Sequence, residues 1–150
     1  MRKIFTLLLA FILAFCVTAC GGSDKPDIDV DQIAGWIQDT GFMDSYDYVS
    51  DWAVALDDSG TVTINVVVKD GTDPELALQV ADDLVRQVSS AACNQSDELT
   101  GPSKDNYGSF YDSYPAMVGV AEQSKTSNTK DWLVFHSIAA GSGPMVTLQK

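Results

Sequence analysis

Hydrophobic and polar positions alternate most clearly between residues 48 and 71. Trp52, Val54 and Leu56 alternate with smaller residues before the turn sequence DDSG, and a second alternating run follows the turn. The apolar positions of the second run are Val62, Ile64, Val66 and Val68. A period of two with β-branched residues is typical of strands that bury one face. The pattern therefore predicts a β-hairpin with one face in the core.

Helical patterns stand on both sides of this hairpin. The first starts at Asp29, which with Gln32 resembles a capping box, and it stops at Gly41. The second is capped by Thr72 or Asp73, with Pro74 in its first turn. The apolar side of the first helix consists of Val30, Ile33, Trp36 and Ile37. The apolar stripe of the second consists of Ala77, Val80, Ala81, Leu84, Val85 and Val88. Both helices are thus amphipathic and are expected to lie on the sheet.

The remainder of the chain completes the predicted fold. Residues 94–113 show no period and many turn-forming residues, which indicates a long loop. Three strand candidates follow, in PAMVGVAE, DWLVFHSIA and MVTLQ. Because strands joined by short turns pair antiparallel, we expect an α+β two-layer sandwich. Its antiparallel sheet would have four to five strands with two helices on one face, in the order α-β-β-α-loop-β-β-β. One domain over residues 29–150 fits the length.

The first twenty residues have the layout of a secretory signal. Arg2 and Lys3 precede an apolar run of 14 residues from Ile4 to Val17. That run is shorter than the roughly 20 residues of a membrane-spanning helix, and small residues end it. The ending VTAC resembles the lipobox of bacterial lipoproteins, and the resemblance covers the leader alone. It implies a signal peptide at 1–19 and a diacylglycerol on the Cys20 thiol. An ordinary cleaved signal with a chance cysteine is the alternative.

The lipoprotein resemblance implies a place for the protein as well as a modification. Two acyl chains give a stable membrane anchor where one gives a marginal anchor. The domain would then sit on the extracytoplasmic face of a bacterial membrane, tethered by residues 20–28. Fully extended, Gly21 to Ile28 would reach about 26 Å. Because residue 21 is not acidic, a host with two membranes would place the protein in the outer one.

Charge and cysteine content narrow the classes of partner and site. The whole chain has a formal net charge of −12, and removing Arg2 and Lys3 with the leader leaves −14. Nucleic acid is not an expected partner, because its binding depends on Lys and Arg neutralising phosphates. With Cys16 removed and Cys20 lipidated, Cys93 has no cysteine partner. We therefore expect no intrachain disulfide and no cysteine-based metal site.

The sequence contains none of the common catalytic motifs. Cys93 with His136, the single histidine, is the alternative that a small envelope hydrolase would use. Cys93 is predicted at the C-terminal end of a helix, where the dipole disfavours a thiolate. His136 is predicted on a strand face with Trp132, Val134 and Ile138. No G-x-S-x-G elbow or zinc-protease motif occurs. A carboxylate pair also stays open, because sequence shows neither the separation nor the pKa of such a pair. We expect no cofactor and no metal.

The long loop carries the best candidate for recognition. Four aromatic residues stand in it among Gly, Ser and Asp, namely Tyr107, Phe110, Tyr111 and Tyr114. Tyrosines on an adaptable loop are typical of recognition surfaces, but the same rings are also typical of a core. The predicted function is a non-catalytic, membrane-anchored binding module that uses this loop. Its partner would be an envelope protein, a peptide or a polymer.

Overall fold

The computed structural model of the chain describes residues 25–140. Its helices are α1 (Val30–Asp39), α2 (Pro74–Ala92) and α3 (Phe110–Ser113), and its strands are β1 (Val49–Leu56), β2 (Val62–Val68), β3 (Ala116–Glu122) and β4 (Val134–Ile138). Short 3₁₀ helices cover Phe42–Ser45, Gln123–Lys125 and Thr129–Asp131. The predicted leader, Cys20 and the strand candidate MVTLQ lie outside the described residues.

The four strands form one mixed sheet in the order β1-β2-β3-β4. β1 with β2 and β3 with β4 pair antiparallel, whereas β2 and β3 pair parallel. The predicted α+β two-layer class with four strands is confirmed, but the prediction of a wholly antiparallel sheet is wrong. The reason lies in the connection: α2 and the long loop carry the chain back to the end where β2 begins. A crossover of that length produces a parallel neighbour.

Both long helices pack on the same face of the sheet and contact each other there. The stripe predicted for α2 is fully buried at each of its six positions, and the four alternating positions of β2 are buried against it. We call this the inner face of the sheet. On α1 the prediction holds for Val30, Ile33 and Ile37, but Trp36 is 40% exposed because it lies at the edge of the apolar face. Burial of one sheet face and two helical stripes forms the core.

Both long helices start at the predicted capping residues, Asp29 and Asp73. The backbone N–H of Asp29, however, is bound by Gln95 and not by the Gln32 side chain of the capping box. Asp29 accepts a hydrogen bond from the Gln32 amide at 3.0 Å, as the capping box requires. The Asp29 backbone is held by Gln95, whose side chain binds its N–H at 2.8 Å and its carbonyl at 2.9 Å. At α2 the cap is Asp73, which accepts from the Glu75 amide at 2.8 Å. A distant residue therefore fixes the start of α1, which ties this helix to the end of α2.

Candidate functional site

The four aromatic residues of the long loop lie in the core. Phe110 is 0% exposed, and Tyr107, Tyr111 and Tyr114 are 3–4% exposed. Phe110 and Tyr114 stack with their ring centroids 5.0 Å apart and their planes at 13°. The predicted role of these rings as a contact surface does not fit this burial, and the alternative, that they cover the core, describes their position. The physical reason is area: aromatic rings bury more apolar surface than most other side chains.

Each tyrosine of this group buries its ring and satisfies its hydroxyl. Tyr107 donates to Asp82 at 2.6 Å, and Tyr111 donates to the Val85 carbonyl at 2.8 Å. Tyr114 donates to the Pro26 carbonyl at 2.6 Å. Burial, with a smaller contribution from Tyr107, raises the pKa of Tyr111 well above its usual value. The hydroxyls therefore fasten the loop to α2 and to the N-terminal segment.

Cys93 and His136 lie in surroundings that do not activate a nucleophile. Cys93 is the C-terminal cap of α2, as predicted, and it is half-buried. Burial raises the pKa of its thiol, whereas a nucleophilic cysteine needs a lowered pKa. His136 lies on β4 opposite Val118, and burial lowers its pKa. A neutral thiol at the negative end of a helix dipole is a poor nucleophile.

A shallow acidic cleft lies where the Phe42–Ser45 turn meets the start of β1. Asp44, Asp47 and Asp51 line it together with Tyr46 and Trp52. Within residues 25–140, no three Asp, Glu, His or Cys side chains are arranged to hold a metal ion. The cleft therefore presents a charged surface without a cluster of metal ligands among the described residues.

The face of the sheet opposite the helices differs in composition from the rest of the molecule. We call it the outer face. The strand pairing places eleven residues on it: Asp51, Ala53, Ala55, Thr63, Asn65, Val67, Met117, Gly119, Ala121, Phe135 and Ser137. Among these described positions the sole charged side chain is Asp51, at the edge. Most of the others are half-buried, and none belongs to the core cluster. The outer face is thus a weakly apolar surface, uncharged apart from Asp51, and neither α1 nor α2 packs on it.

An indole ring lies on this face because a glycine makes room for it. Trp132 sits over Gly119, and a methyl group added at Gly119 would overlap the ring. The ring also meets Phe135 edge to face, with centroids 5.8 Å apart. The indole Nε1 is buried and has no hydrogen-bond partner within the described part of the chain. Glycine in a strand interior often marks such a close approach.

The prediction that Trp132 shares a face with Val134 and Ile138 is wrong. It requires one continuous strand from residue 131 onward. The strand begins only at Val134, after the 3₁₀ helix Thr129–Asp131, and Trp132 takes the opposite side. His136 does share the inner face with Val134 and Ile138, as predicted. The signal for the true position was Gly119, the one strand residue without a side chain.

Comparisons with known proteins give no indication of the function. No protein-family model matches the chain, and neither curated proteins nor solved structures give a significant match. No helix among residues 25–140 has the length and apolar content to cross a membrane.

Proposed function

We propose that the protein is a lipid-anchored envelope lipoprotein that acts as a non-catalytic binding module and docks a partner protein on the outer face. The observation that carries this proposal is the contrast in charge. The mature chain has a net charge of −14, yet the outer face of the four described strands carries one charged side chain, at its edge. Solubility alone explains an acidic surface, but it does not explain why one side of the sheet lacks charge.

The composition of the outer face supports a protein partner. The centres of protein–protein interfaces are depleted of charged residues and enriched in aromatic residues and Met. Trp132, Phe135 and Met117 lie together here, on a background of small residues. Ala53 and Ala55 leave their part of the sheet surface flat, so that the backbone of a partner can approach closely. The rigid two-layer fold holds this surface in place without further ordering, which lowers the entropic cost of binding.

The experiment is crosslinking of the anchored protein in its own cells, with a photo-reactive phenylalanine at Met117. We expect an adduct of discrete mass at this position. We expect none with the same group at Leu76, which is 40% exposed on α2, on the helix side of the sheet. Adducts at both positions, or at Leu76 alone, would contradict the outer face as the docking surface.

Two neighbouring substitutions test whether docking depends on the lack of charge on the outer face. Ala55→Lys adds a charge on the outer face, whereas Leu56→Lys adds the same charge one residue on, where the side chain points to the other side of β1 and is 42% exposed. We expect Ala55→Lys to abolish the adduct formed at residue 117 and Leu56→Lys to retain it. Equal effects of the two lysines would show that net charge, not the outer face, governs binding.

A further inference from the structure

The N-terminal segment Lys25–Ile28 is bound to the domain. The Tyr114 hydroxyl donates to the Pro26 carbonyl at 2.6 Å and accepts from the Ile28 amide at 3.1 Å. Ile28 is 4% exposed and belongs to the core. One tyrosine thus binds the segment at two backbone positions from more than 80 residues away in sequence. Residues 25–28, which the sequence analysis assigned to the tether, are part of the fold.

Lys25 adds contacts at the start of this segment. Its Nζ lies 3.7 Å from the centroid of the Tyr114 ring, within the range of a cation–π interaction. The same Nζ lies beside Gly60, in the turn between β1 and β2. The point where the chain enters the domain is therefore the end of the sheet formed by that turn and by the start of β3. We call it the entry end.

The far end of the sheet carries the 3₁₀ helices Gln123–Lys125 and Thr129–Asp131, which join β3 to β4. β2 runs from the entry end to the far end in seven residues, which corresponds to about 20 Å at roughly 3.3 Å per residue. The two ends are thus separated by more than half the thickness of the hydrocarbon core of a bilayer, which is about 30 Å.

We propose that the Tyr114 clamp orients the anchored domain, with the entry end toward the bilayer and the far end away from it. This inference rests on the lipid anchor of the proposed function. Between Cys20 and Lys25 stand five Cα–Cα steps, which span at most about 17 Å, compared with about 26 Å for the longer tether expected from sequence. The entry end is confined within that reach of the headgroups, while the far end lies about 20 Å further away along β2.

Charge acts in the same direction as the short tether. A domain with a net charge of −14 is repelled by anionic lipid headgroups over about one Debye length, near 8 Å at physiological salt. Lying on the helix side would bring the acidic side chains of α1 and α2 into that layer, and lying on the outer face would cover the docking surface. Standing on the entry end brings in the turn with Asp57 and Asp58, beside which the Lys25 ammonium lies. The strands then run away from the bilayer, and the outer face points sideways, toward a partner that stands on the same membrane.

The test measures the distances from the two ends to the bilayer. The lipidated protein is purified and reconstituted in phosphatidylcholine–phosphatidylglycerol vesicles that carry an acceptor dye on a headgroup. A donor dye is placed at Asp58→Cys, exposed in the turn of the entry end, or at Ser127→Cys, exposed at the far end. Both carry Cys93→Ser, so that each protein has one reactive thiol. We expect stronger energy transfer from residue 58 than from residue 127; equal transfer, or stronger transfer from residue 127, would overturn the orientation.

A matched pair of tyrosine variants tests the clamp itself. Tyr114→Phe removes both hydrogen bonds to residues 26–28 and keeps the ring that stacks on Phe110. Tyr111 lies in α3, the short helix that Tyr114 caps, and its buried hydroxyl donates to the Val85 carbonyl instead, a bond that Tyr111→Phe removes. We expect the difference in transfer between the two labels to shrink with Tyr114→Phe and to persist with Tyr111→Phe. An unchanged difference with Tyr114→Phe, in a protein that stays folded by circular dichroism, would overturn the clamp.

The mass of the purified protein separates this inference from the proposal on which it rests. A mass without the diacylglycerol would overturn the lipid anchor and both proposals. A lipidated protein with equal transfer from its two ends would overturn the orientation alone.

Discussion

Single residues of the long loop show how one side-chain type serves two opposite roles. Tyr is suited to a recognition surface and to a core, because its ring is apolar and its hydroxyl needs one partner. The partners decide between these roles here: Asp82, Val85 and Pro26 each accept a hydrogen bond from a buried tyrosine. None of these pairings is visible in the sequence, because each joins residues at least 25 positions apart.

For Phe110, a core role and a surface role predict different effects of a substitution on stability. It is fully buried between Tyr111 and Tyr114, so Phe110→Ala should lower the free energy of unfolding by about 3–5 kcal/mol. The measurement is urea denaturation followed by circular dichroism. As a control, Leu76→Ala changes a side chain that is 40% exposed and should cost far less. A Phe110→Ala protein as stable as the parent would indicate that Phe110 is exposed and would support the loop as a recognition site.

Substitutions at Gly119 and Trp132 should have non-additive effects on the free energy of unfolding. Gly119→Ala places a methyl group where the Trp132 ring lies, and overpacking of this kind costs about 1–3 kcal/mol. In a Trp132→Ala background the methyl group finds free space, so most of that cost should disappear. Denaturation of the two single variants and the double variant gives the coupling energy. Additive effects would mean that the ring does not occupy the Gly119 position in solution.

Elements with strong periodicity were predictable, and their neighbours were not. The alternation in β2 and the stripe of α2 each identified the buried side correctly, because a period of two or 3.6 residues states which face is apolar. The parallel pairing of β2 with β3 was not predictable, since it depends on the path of a loop without a period. The outer face was missed for a related reason: Ala, Thr and Asn alternate with the core residues as ordinary exposed positions would.

The carboxylate of Glu122 holds the end of β3 in place through charged contacts. The Glu122 carboxylate is bound by the Lys125 ammonium and accepts from the Gly71 amide at 2.6 Å. These contacts, the one with Lys125 first, lower the pKa of Glu122 below its ordinary value of 4.5. They join the turn after β2 to the end of β3 and so support the parallel pair.

This carboxylate should make stability depend on acid. Because its pKa is lower in the folded state, Glu122 stabilises the fold fully above the unfolded value near 4.5, and the contribution is lost as the pH falls through the folded value. Urea denaturation of the parent and of Glu122→Gln should therefore differ at neutral pH and converge in acid. The control is Glu98→Gln, at an exposed position in the long loop. A difference that stays constant down to about pH 3 would show that the charge of Glu122 is not responsible.

At the scale of the whole molecule, the proposed lipid anchor and the folded core lie in different parts of the chain. The core cluster begins at Ile28 and ends at Ile138, so every described core contact lies downstream of the predicted lipidation site. The fold should therefore be indifferent to the anchor, while docking on a membrane-bound partner should depend on it. Lipidation of Cys20 should therefore affect location and not the fold, whereas Cys93 caps α2.

A form that starts at Gly21 behind an ordinary cleavable secretion signal separates these effects. We expect it to unfold at the same urea concentration as the anchored protein, because the described core lies downstream of residue 20. We also expect it to leave the membrane fraction on flotation, because its net charge of −14 is repelled by anionic lipids. The crosslink at residue 117 should disappear with it, since the partner is no longer held alongside. Cys93→Ser is the matched control and should float with the membrane and keep the crosslink. If the form without Cys20 still floats, a bound partner rather than a lipid holds the protein at the membrane; if it also keeps the crosslink, the outer face binds tightly enough to need no anchor.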